Sequence, residues 1–498
     1  MARILLLHPS RWGRGITAIW VASHAAILKR RGHIVDLFDA TFYRDWAEDE
    51  VGYNTQNQQY RPTDYERQLT WKTGGVRNDL QIRLDTFRPD IVFWSAISSH
   101  IHGEGEYVSI QYGYELMEGC HTDAILVCGG LQPTAAPIDT FRRFPSLHTL
   151  ISGESEMPLA DIADALSTGL SIEDIPGVHR RLIDGTISSG PRQPIISDMD
   201  AIGNYDYSLF EDQVFLRPYN GQVVRGADYE LSRGCIFTCT YCVETVIQRY
   251  YGFTDSNRHG AIVNVRQYLR NKSARRVFDE IVWLYRERGV TLFRCQDTNF
   301  LTIDNRMLRE LADLLEAERM PIQLYIETRP EGINAASTSL LKRLQVDGVG
   351  MGIELSTQAF RESQLNRFSD QAHIIEAFRL LRDAGIRRTA YNIIGLTGQD
   401  EMSILETIEF NQLLDPDNVT VAFYSPFLGT QQQSESAQAN YFDDYEYRVD
   451  PQLRTVSRHD TMTPELLEFY KTHFNALVRN GLADLEARKR AAGLRGKL

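Results

Sequence analysis

Three of the six cysteines in this 498-residue chain lie within one stretch of eight residues. They are Cys235, Cys239 and Cys242, and their spacing is C-x3-C-x2-C. At this cysteine content, the random expectation for that spacing is on the order of 0.001 per chain. The pattern therefore indicates a set of ligands, and the chain must fold so that one loop presents three thiolates together.

The number of thiolates limits what they can bind. A structural zinc site takes four ligands, and the nearest further candidate downstream is His259. Three thiolates can hold a four-iron, four-sulfur cluster through three of its irons, which leaves the fourth iron open to a substrate or cofactor. We interpret Cys235, Cys239 and Cys242 as the ligands of such a catalytic cluster. A zinc site and purely structural thiols are the alternatives.

The residues before the cysteines indicate where this loop lies. Residues 227–232 have the pattern of a β-strand, and Gly234 allows a sharp backbone turn before the first ligand. The loop would then follow the carboxyl end of a strand, which is where barrel enzymes hold their reacting groups.

The segment R-G-C-x3-C-x2-C, with the aromatic Tyr241 before its third cysteine, resembles the signature of the radical S-adenosylmethionine (SAM) superfamily. The resemblance implies that the open iron binds the amino and carboxylate groups of SAM. One electron, from a donor such as flavodoxin or ferredoxin, would then cleave SAM to methionine and a 5′-deoxyadenosyl radical. Many members of the superfamily have proline where this chain has Ile236, a difference that affects the stiffness of the loop and not ligation.

Composition limits the remaining classes of function. A chain of 498 residues with 43% hydrophobic content is expected to form two or three domains. No run of 18 apolar residues occurs, so we expect no membrane span, and the start of the chain lacks the layout of a signal peptide. Few cysteines fit a reducing cytoplasm. The formal charge of −13 argues against nucleic acid as a partner.

Strand and helix patterns alternate through residues 1–170, which predicts a doubly wound parallel sheet of the α/β class. Strands are predicted at residues 3–7, 34–38, 90–95, 125–128 and 149–152. Residues 45–73 lack clean periodicity, and we expect them to form a surface loop or a lid. Ligands of such a sheet bind at the carboxyl ends of the strands, four of which are followed by small or polar residues.

Two of those strand ends match a second pattern. Gly129, Gly130 and Pro133, together with I-S-G-E-S-E at residues 151–156, resemble the cobalamin-binding domain that is fused to many radical SAM enzymes. The usual form is G-E-G-E, where this chain has Ser155. The residues that the resemblance assigns to cobalamin are Ser98, Gly129, Gly130, Gly153, Glu154 and Glu156. No Asp-x-His-x-x-Gly pattern occurs, so we expect no axial histidine on the cobalt. A Rossmann-like domain without a cofactor is the alternative.

The remaining chain divides into three parts. Residues 171–226, which contain four prolines, are predicted to be a linker with short strands. Residues 227–427 contain six β/α repeats and predict an open, partial (β/α)6 barrel whose gap faces the cobalamin domain. Residues 428–498 are predicted to be a mainly helical extension, in which the aromatic and acidic stretch 441–447 forms either a pocket wall or a solvated loop.

Polar residues also follow the barrel strands and suit the groups of SAM. Glu327 and Glu354, and Asp297 in a segment similar to the family's D-D-x-F, could accept hydrogen bonds from the ammonium or the ribose. Arg329 could pair with the carboxylate. The full set that we assign to SAM is Tyr241, Gln296, Asp297, Glu327, Arg329, Glu354, Asn392 and Leu396. For each one, a capping or salt-bridge role is the alternative.

Together, these features predict a cobalamin-dependent radical SAM enzyme that methylates an unactivated carbon or phosphorus of a small molecule. One alternative is an enzyme of the same architecture that performs a cyclisation or rearrangement without methylation. A second is a binding protein that senses cobalamin or redox state. A methylthiotransferase is disfavoured, because its additional cluster needs three more cysteines and only Cys120 and Cys128 precede Cys235.

Overall fold

The computed structural model describes residues 1–94, 106–256, 259–439 and 458–494. Within these ranges the strands form two seven-stranded sheets and one short two-stranded sheet. The strand before the cysteines belongs to the second large sheet, and the predicted doubly wound segment forms the first. The same ranges contain no helix that is long and apolar enough to cross a membrane.

The first sheet is built from the amino-terminal third of the chain. Its strands are β1 (Arg3–His8), β2 (Ile34–Asp39), β3 (Ile91–Trp94), β4 (Ile125–Cys128), β5 (Thr149–Ile151), β6 (Val178–Arg181) and β7 (Ile187–Ser189). The helices around it are α1 (Ile19–Arg30), α2 (Glu50–Gln56), α3 (Val76–Phe87), α4 (Glu106–Met117), α5 (Leu131–Ala135), α6 (Pro137–Arg143) and α7 (Glu156–Thr168).

The strand order of this sheet is β2-β1-β3-β4-β5-β6-β7. The first five strands are parallel, and β6 and β7 are antiparallel additions. The central strands are covered on both faces, so four successive residues of β1, beginning at Ile4, are fully buried. The order 2-1-3-4-5 reverses direction between β1 and β3, which is the switch point where doubly wound sheets bind ligands. The predicted doubly wound sheet is confirmed.

The second sheet forms an open, curled barrel. The strands that follow β7 are β8 (Leu216–Tyr219), β9 (Gln222–Tyr229), β10 (Ser232–Arg233), β11 (Arg270–Asn271), β12 (Leu292–Cys295), β13 (Gln323–Thr328), β14 (Val346–Glu354), β15 (Arg387–Ile394) and β16 (Asn418–Phe423). The order of the large sheet is β16-β15-β14-β13-β12-β9-β8, and β10 pairs separately with β11. Six strands are parallel and β8 is antiparallel at one edge. The predicted (β/α)6 barrel is thus confirmed, with one extra edge strand.

Helices follow the strands and cover the outside of the barrel. They are α8 (Glu244–Tyr251), α9 (Val265–Tyr268), α10 (Ala274–Arg288), α11 (Asn305–Glu318), α12 (Ala335–Arg343), α13 (Gln358–Leu365), α14 (Gln371–Asp383) and α15 (Glu401–Leu414). Several begin at a residue whose side chain accepts a hydrogen bond from the first turn, namely Ser273, Asp304, Asn334, Asp370 and Asp400. These capping side chains help to define where the helices begin.

The carboxyl-terminal extension is helical where it is described. It contains α16 (Gln431–Gln438), α17 (Pro464–Asn480) and α18 (Leu485–Ala491). The apolar side of α17, including Leu467 and Phe474, packs on β16 and α15. The 441–447 stretch lies outside the described residues.

Two boundaries differ from the sequence prediction. The strand before the cluster loop was predicted at residues 227–232 but runs over Gln222–Tyr229, because its hairpin partner β8 extends it backwards. The stretch 171–226, predicted as a linker, is shared between the sheets. Its β6 and β7 extend the first sheet, and β8 with most of β9 belongs to the second.

The unpatterned stretch 45–73 covers the gap of the barrel. It forms α2 and a loop that reaches the free edge of β16, where the side-chain Oε1 of Gln59 accepts a hydrogen bond of 3.1 Å from the Val421 N–H. The adjacent Asn57 carbonyl accepts from Asn475 Nδ2 of α17 at 3.2 Å. The amino-terminal part of the chain therefore supplies the wall that the six-stranded barrel lacks.

Candidate functional site

The cysteine loop leaves β9 and ends at α8, and polar contacts fix its first turn. The Cys235 N–H donates to Glu244 Oε1 at 3.0 Å. The amide of Gln248 donates to the carbonyls of Cys235 and Phe237 at 2.8 and 2.9 Å. Gly234 has a φ of +98°, and a Cβ at this position would lie 2.6 Å from the carbonyl oxygen of Tyr268. Glycine is therefore required before the first cysteine.

The three cysteines border one cavity of about 400 Å³ that extends into the barrel. No three side chains of His, Cys, Asp or Glu within the described ranges converge as a single metal ion requires. A four-iron cluster takes each thiolate on a different iron, so its ligands need only border a common space. The arrangement fits such a cluster better than it fits a mononuclear zinc site.

The surroundings of the thiols differ in charge. Burial, reinforced by the nearby carboxylate of Glu244, raises the pKa of Cys235 to about 12. Arg329 lies beside Cys239, with its Nη1 3.4 Å from Cys239 Sγ and its guanidinium 3.6 Å from the ring centre of Phe237. Arg329 therefore places a positive charge beside the Cys239 sulfur.

Five of the residues assigned to SAM line this cavity: Tyr241, Glu327, Arg329, Glu354 and Asn392. The hydroxyl of Tyr241 donates to Glu354 Oε1 at 2.9 Å, and Arg367 Nη1 lies 3.4 Å from the same oxygen. Arg329 also pairs with Glu331. The ends of β13, β14 and β15 thus meet the cysteine loop at this cavity.

Glu354 occupies an unusual backbone conformation at the end of β14. Its φ is +64°, in the left-handed region, and the pairing register with β15 shifts between Gly352 and Glu354. A non-glycine residue held there is strained by about 1–3 kcal/mol, and such strain concentrates at functional sites. The irregular strand end turns the carboxylate of Glu354 toward the cysteine loop.

Three other residues assigned to SAM are not among the described residues that line the cavity: Gln296, Asp297 and Leu396. Asp297 Oδ1 instead accepts hydrogen bonds from the backbone N–H groups of Leu231 and Ser232 at 3.0 and 2.6 Å. It therefore anchors the start of the cysteine loop, and burial raises its pKa to about 7. The Leu396 side chain is fully buried in a small apolar cluster.

The carboxylates assigned to cobalamin, Glu154 and Glu156, take part in buried ion pairs. Glu156 Oε1 lies 2.6 Å from Arg233 Nη2, and Glu154 Oε1 lies 2.8 Å from Arg270 Nη1 and 3.4 Å from Arg233 Nη1. Arg233 also pairs with Glu230 at 2.8 Å. All five side chains are buried between the amino-terminal domain and the cysteine loop. The side chains of Glu154 and Glu156 therefore join the two sheets and do not face an open ligand site.

Gly153 has a φ of +83°, and a Cβ there would lie 2.4 Å from Gln193 Nε2 and 2.6 Å from the Tyr251 hydroxyl. Side chains of the protein therefore pack closely against Gly153. Ser98 lies outside the described residues.

The end of β4 retains features that fit a polar ligand such as a corrin. Gly130 has a φ of +112° and opens α5. Gln132 in that helix is 1% exposed, and within the described part of the chain neither its amide oxygen nor its amide nitrogen has a hydrogen-bond partner. The Ser10 hydroxyl, after β1, is likewise buried without a described partner. Buried polar groups are normally hydrogen-bonded. These atoms therefore fit the binding of a polar ligand or water at the carboxyl ends of the strands of the first sheet.

Sequence reasoning missed several residues of the site. Arg233 belongs to the quoted motif, but its partners Glu154 and Glu156 lie 79 and 77 residues away in the chain and could not be read from it. The glycines of β14, Gly348, Gly350 and Gly352, recur at every second position, and that period-two pattern could have indicated a strand face stripped of side chains.

Comparison with known proteins agrees with this geometry. The sequence profile of the Radical SAM superfamily matches residues 229–410, which include the three cysteines and strands β12 to β15. The chain carries a radical SAM domain. The prediction of a radical SAM enzyme is confirmed, and with it a four-iron, four-sulfur cluster and SAM as cofactors.

The relatives extend beyond the radical SAM domain. An anaerobic magnesium-protoporphyrin IX monomethyl ester cyclase of Rubrivivax gelatinosus is 24% identical over 438 residues, which are 85% of this chain and 68% of that protein. A cytidylyl-2-hydroxyethylphosphonate methyltransferase of Streptomyces wedmorensis is 22% identical over 487 residues, 90% of this chain and 84% of that protein.

A solved structure shares the fold of both sheets. TsrM of Kitasatospora setae is a radical SAM methyltransferase determined with cobalamin and an iron–sulfur cluster bound. It superposes with a TM-score of 0.64 at 16% identity, and covers 92% of this chain and 80% of TsrM.

Proposed function

We propose that this radical SAM enzyme also binds cobalamin and methylates an unactivated carbon or phosphorus centre of a small molecule. The observation that carries the proposal is a single cavity that joins the cysteine loop, the strand-end carboxylates and the barrel lumen. The amino-terminal domain forms part of its wall. The named methyltransferases among the relatives and the TsrM structure support the same conclusion.

When bound, the cluster and SAM supply a one-electron cleavage of SAM that removes a hydrogen atom from the substrate. The chain positions these groups: the three cysteines hold the cluster, and Arg329 places a positive charge beside the Cys239 thiolate. Glu327 and Glu354 face the cavity as acceptors for the ammonium and hydroxyl groups of SAM. A reduced flavodoxin or ferredoxin would deliver the electron.

Cobalamin, when bound, supplies the methyl group that the substrate receives. Gly129, Gly130 and Gln132 at the end of β4 are the described residues that would hold it, because Gln132 offers a buried amide without a described partner. No histidine ligand to cobalt is part of the proposal. The loop that contains Gln59 covers the gap of the barrel and would shield the reacting groups from water.

A second candidate is cyclisation or another radical reaction without methyl transfer. The observation that favours it is the match to the magnesium-protoporphyrin ester cyclase, which covers 85% of this chain. Both candidates need the same radical SAM site, so they differ only in the fate of the methyl group.

The test uses SAM that carries a deuterated methyl group and needs no knowledge of the substrate. The full chain is reconstituted anaerobically with iron, sulfide and hydroxocobalamin, and then reduced. We expect release of 5′-deoxyadenosine and recovery of the labelled methyl group on the cobalamin by mass spectrometry. Deoxyadenosine release without methyl transfer to cobalamin would favour the second candidate. Failure to retain cobalamin with the cluster intact would contradict the methylation proposal, and a Cys239→Ala variant serves as the control without a cluster.

A further inference from the structure

Two of the three cysteine sulfurs accept hydrogen bonds from N–H groups within the described part of the chain. Cys235 Sγ accepts from the backbone N–H of Phe237 at 3.5 Å, and Cys239 Sγ accepts from Arg329 Nη1 at 3.4 Å. Hydrogen bonds to the sulfurs are among the features that set the reduction potential of an iron–sulfur cluster. The backbone donor is largely independent of residue type, whereas the second donor depends on one side chain.

Arg329 is held against the cysteine loop from several sides. It follows β13 directly and is 7% exposed. Its guanidinium lies 3.6 Å from the ring centre of Phe237, whose face attracts the cation. Its Nη2 also donates to Ser369 Oγ at 3.5 Å. The contact with Cys239 is therefore one of a set that fixes this side chain in place.

Glu331 orients the guanidinium of Arg329. The Nε of Arg329 donates to Glu331 Oε1 at 3.0 Å, and Nη2 pairs with the same oxygen. Burial opposes ionisation of Glu331, but the charges of Arg329 and Arg367 outweigh it and lower the pKa of that carboxyl to about 2. The carboxylate thus contacts Nε and Nη2, while Nη1 contacts Cys239. The ion pair is oriented with its positive partner next to the sulfur.

These contacts use most of the donors of Arg329. A guanidinium carries five N–H groups. Nε and both N–H groups of Nη2 are directed at Glu331 and Ser369, and one N–H group of Nη1 is directed at Cys239. A bidentate pair with the carboxylate of SAM needs two parallel N–H groups. The geometry therefore favours a role toward the cluster over a bidentate pair with SAM.

Reduction adds one negative charge to a cluster that its thiolate ligands already make anionic. The electron comes from a reduced one-electron carrier of the flavodoxin or ferredoxin type, and no covalent bond is formed or broken. A charge-assisted hydrogen bond to a ligand sulfur is stronger in the reduced state, because the sulfur then carries more negative charge. Such a donor therefore stabilises the reduced cluster more than the oxidised cluster.

We propose that Arg329, oriented by Glu331, raises the reduction potential of the cluster and so makes it easier for the electron carrier to reduce. The direction of the effect does not depend on the total charge of the cavity. Replacing Arg329 changes one group and leaves the neighbouring pair of Arg367 and Glu354 in place. This role belongs to the radical SAM site alone, so it holds for either fate of the methyl group.

The potential of the SAM-free cluster tests this role. The full chain is reconstituted anaerobically with iron and sulfide, and the electron paramagnetic resonance of the reduced cluster is followed during titration with dithionite and redox mediators. Arg329→Met keeps a similar length without charge or donor, and should weaken reduction roughly tenfold, a shift of about 59 mV to lower potential for one electron. Arg329→Lys keeps the charge and should shift the potential less. A wild-type potential in Arg329→Met would overturn the proposal, and is the result expected if Arg329 acted only on SAM.

The partner carboxylate supplies a readout of opposite sign. Glu331→Gln keeps the shape of the side chain and removes one negative charge near the cluster, so it should raise the potential. A shift of Arg329→Met and Glu331→Gln in the same direction would indicate damage to the cysteine loop and would reject the proposal. If Arg329→Met fails to hold iron, a potential of Glu331→Gln at or below the wild-type value contradicts the assigned role instead. Arg306→Met, at a position 90% exposed on α11, is the matched control and should titrate as the wild type does.

Methyl transfer and the cluster potential can fail separately. Shifts of opposite sign in a chain that transfers no methyl group keep the role of Arg329 and reject methylation. Methyl transfer in a chain whose potential is the same in both variants as in the wild type keeps methylation and rejects the role of Arg329.

Discussion

At the scale of single residues, two cysteines whose pKa values are raised in the same way lie in different places. Burial raises the pKa values of both Cys242 and Cys295 well above the ordinary range. Of these two, Cys242 is among the described residues that line the cavity. Cys295 is instead buried in the core, with its thiol directed at the Phe293 carbonyl. The two thiols should therefore differ completely in their relation to iron.

Removing one cavity thiol should remove the cluster. After anaerobic reconstitution, we expect Cys235→Ala, Cys239→Ala and Cys242→Ala each to lose their iron, because each thiolate is a ligand to one iron. Cys295→Ala should retain close to four irons per chain, measured by iron assay and absorption. A Cys295→Ala protein without iron, beside a Cys242→Ala protein that keeps it, would reverse the assignment.

The carboxylate of Glu354 should affect SAM and leave the iron in place. Glu354→Ala removes the acceptor that Tyr241 and Arg367 orient, and losing one charge-assisted hydrogen bond typically weakens binding by roughly ten- to a hundredfold. Calorimetric titration with SAM measures the effect. Glu310→Ala, on the exposed face of α11, is the control. Equal SAM affinity in both variants would exclude Glu354 from the site.

Single-residue roles could be predicted only in part from the sequence. The cysteines carry a spacing that chance does not explain, and Glu327 and Glu354 stand at strand ends. A strand-end position does not specify which way a side chain points. Asp297 therefore looked like a SAM ligand but folds back onto the backbone of Leu231 and Ser232.

At the scale of elements, the chain segments that lack periodicity complete the barrel. The clearest case is the loop after α2. One of its side chains, and not a further strand, accepts a hydrogen bond from the free edge of β16. Gln59 is buried, and its amide oxygen takes the place of a neighbouring strand carbonyl at the Val421 N–H. This contact lets the barrel remain open as a sheet while the lumen stays covered.

Gln59→Ala should therefore loosen this edge. We expect faster hydrogen exchange in peptides covering Asn418–Phe423, because the Val421 N–H would lose its acceptor. Gln56→Ala, at the exposed last position of the preceding helix α2, is the matched control. The same exchange rate in Gln59→Ala and wild type would show that the loop does not protect the barrel gap.

Long amphipathic helices and apolar strands were predictable, since their periodicity and their capping residues are local. Short helices such as α5 and α13 were not predicted. The intrinsic propensity of a few residues is too weak to stabilise a helix, so such short helices form mainly through tertiary contacts. The closing loop was recognised as irregular, but its target on β16 lies some 360 residues away in sequence.

At the scale of the whole molecule, a buried set of charges joins the two sheets. Burial alone would raise the pKa of Glu156, but the charge of Arg233 outweighs it and lowers that pKa to about 2. A carboxyl whose pKa is depressed in the folded state stabilises the fold fully above its unfolded pKa, near 4.5. That contribution disappears as the pH falls from about 4.5 toward 2.

The difference of about 2.5 pKa units corresponds to roughly 3 kcal/mol, so Glu156→Gln should be less stable at pH 6 by an amount of that order. Between pH 5 and 3 the wild type should lose stability more steeply than the variant, and the two curves should converge. Thermal unfolding across that range measures the convergence, with Glu310→Gln as the control. Parallel curves for wild type and Glu156→Gln would contradict the assigned ion pair.

The arginine that precedes the first cluster cysteine thus depends on carboxylates from the other half of the chain. A catalytic half made alone would leave Arg233 and Arg270 without two of their counter-charges. A foreign amino-terminal half would have to supply two carboxylates at the same positions. Exchange of whole domains between relatives, the usual route to new combinations, is therefore restricted at this junction. The two halves are expected to be inherited, and to be engineered, as one piece.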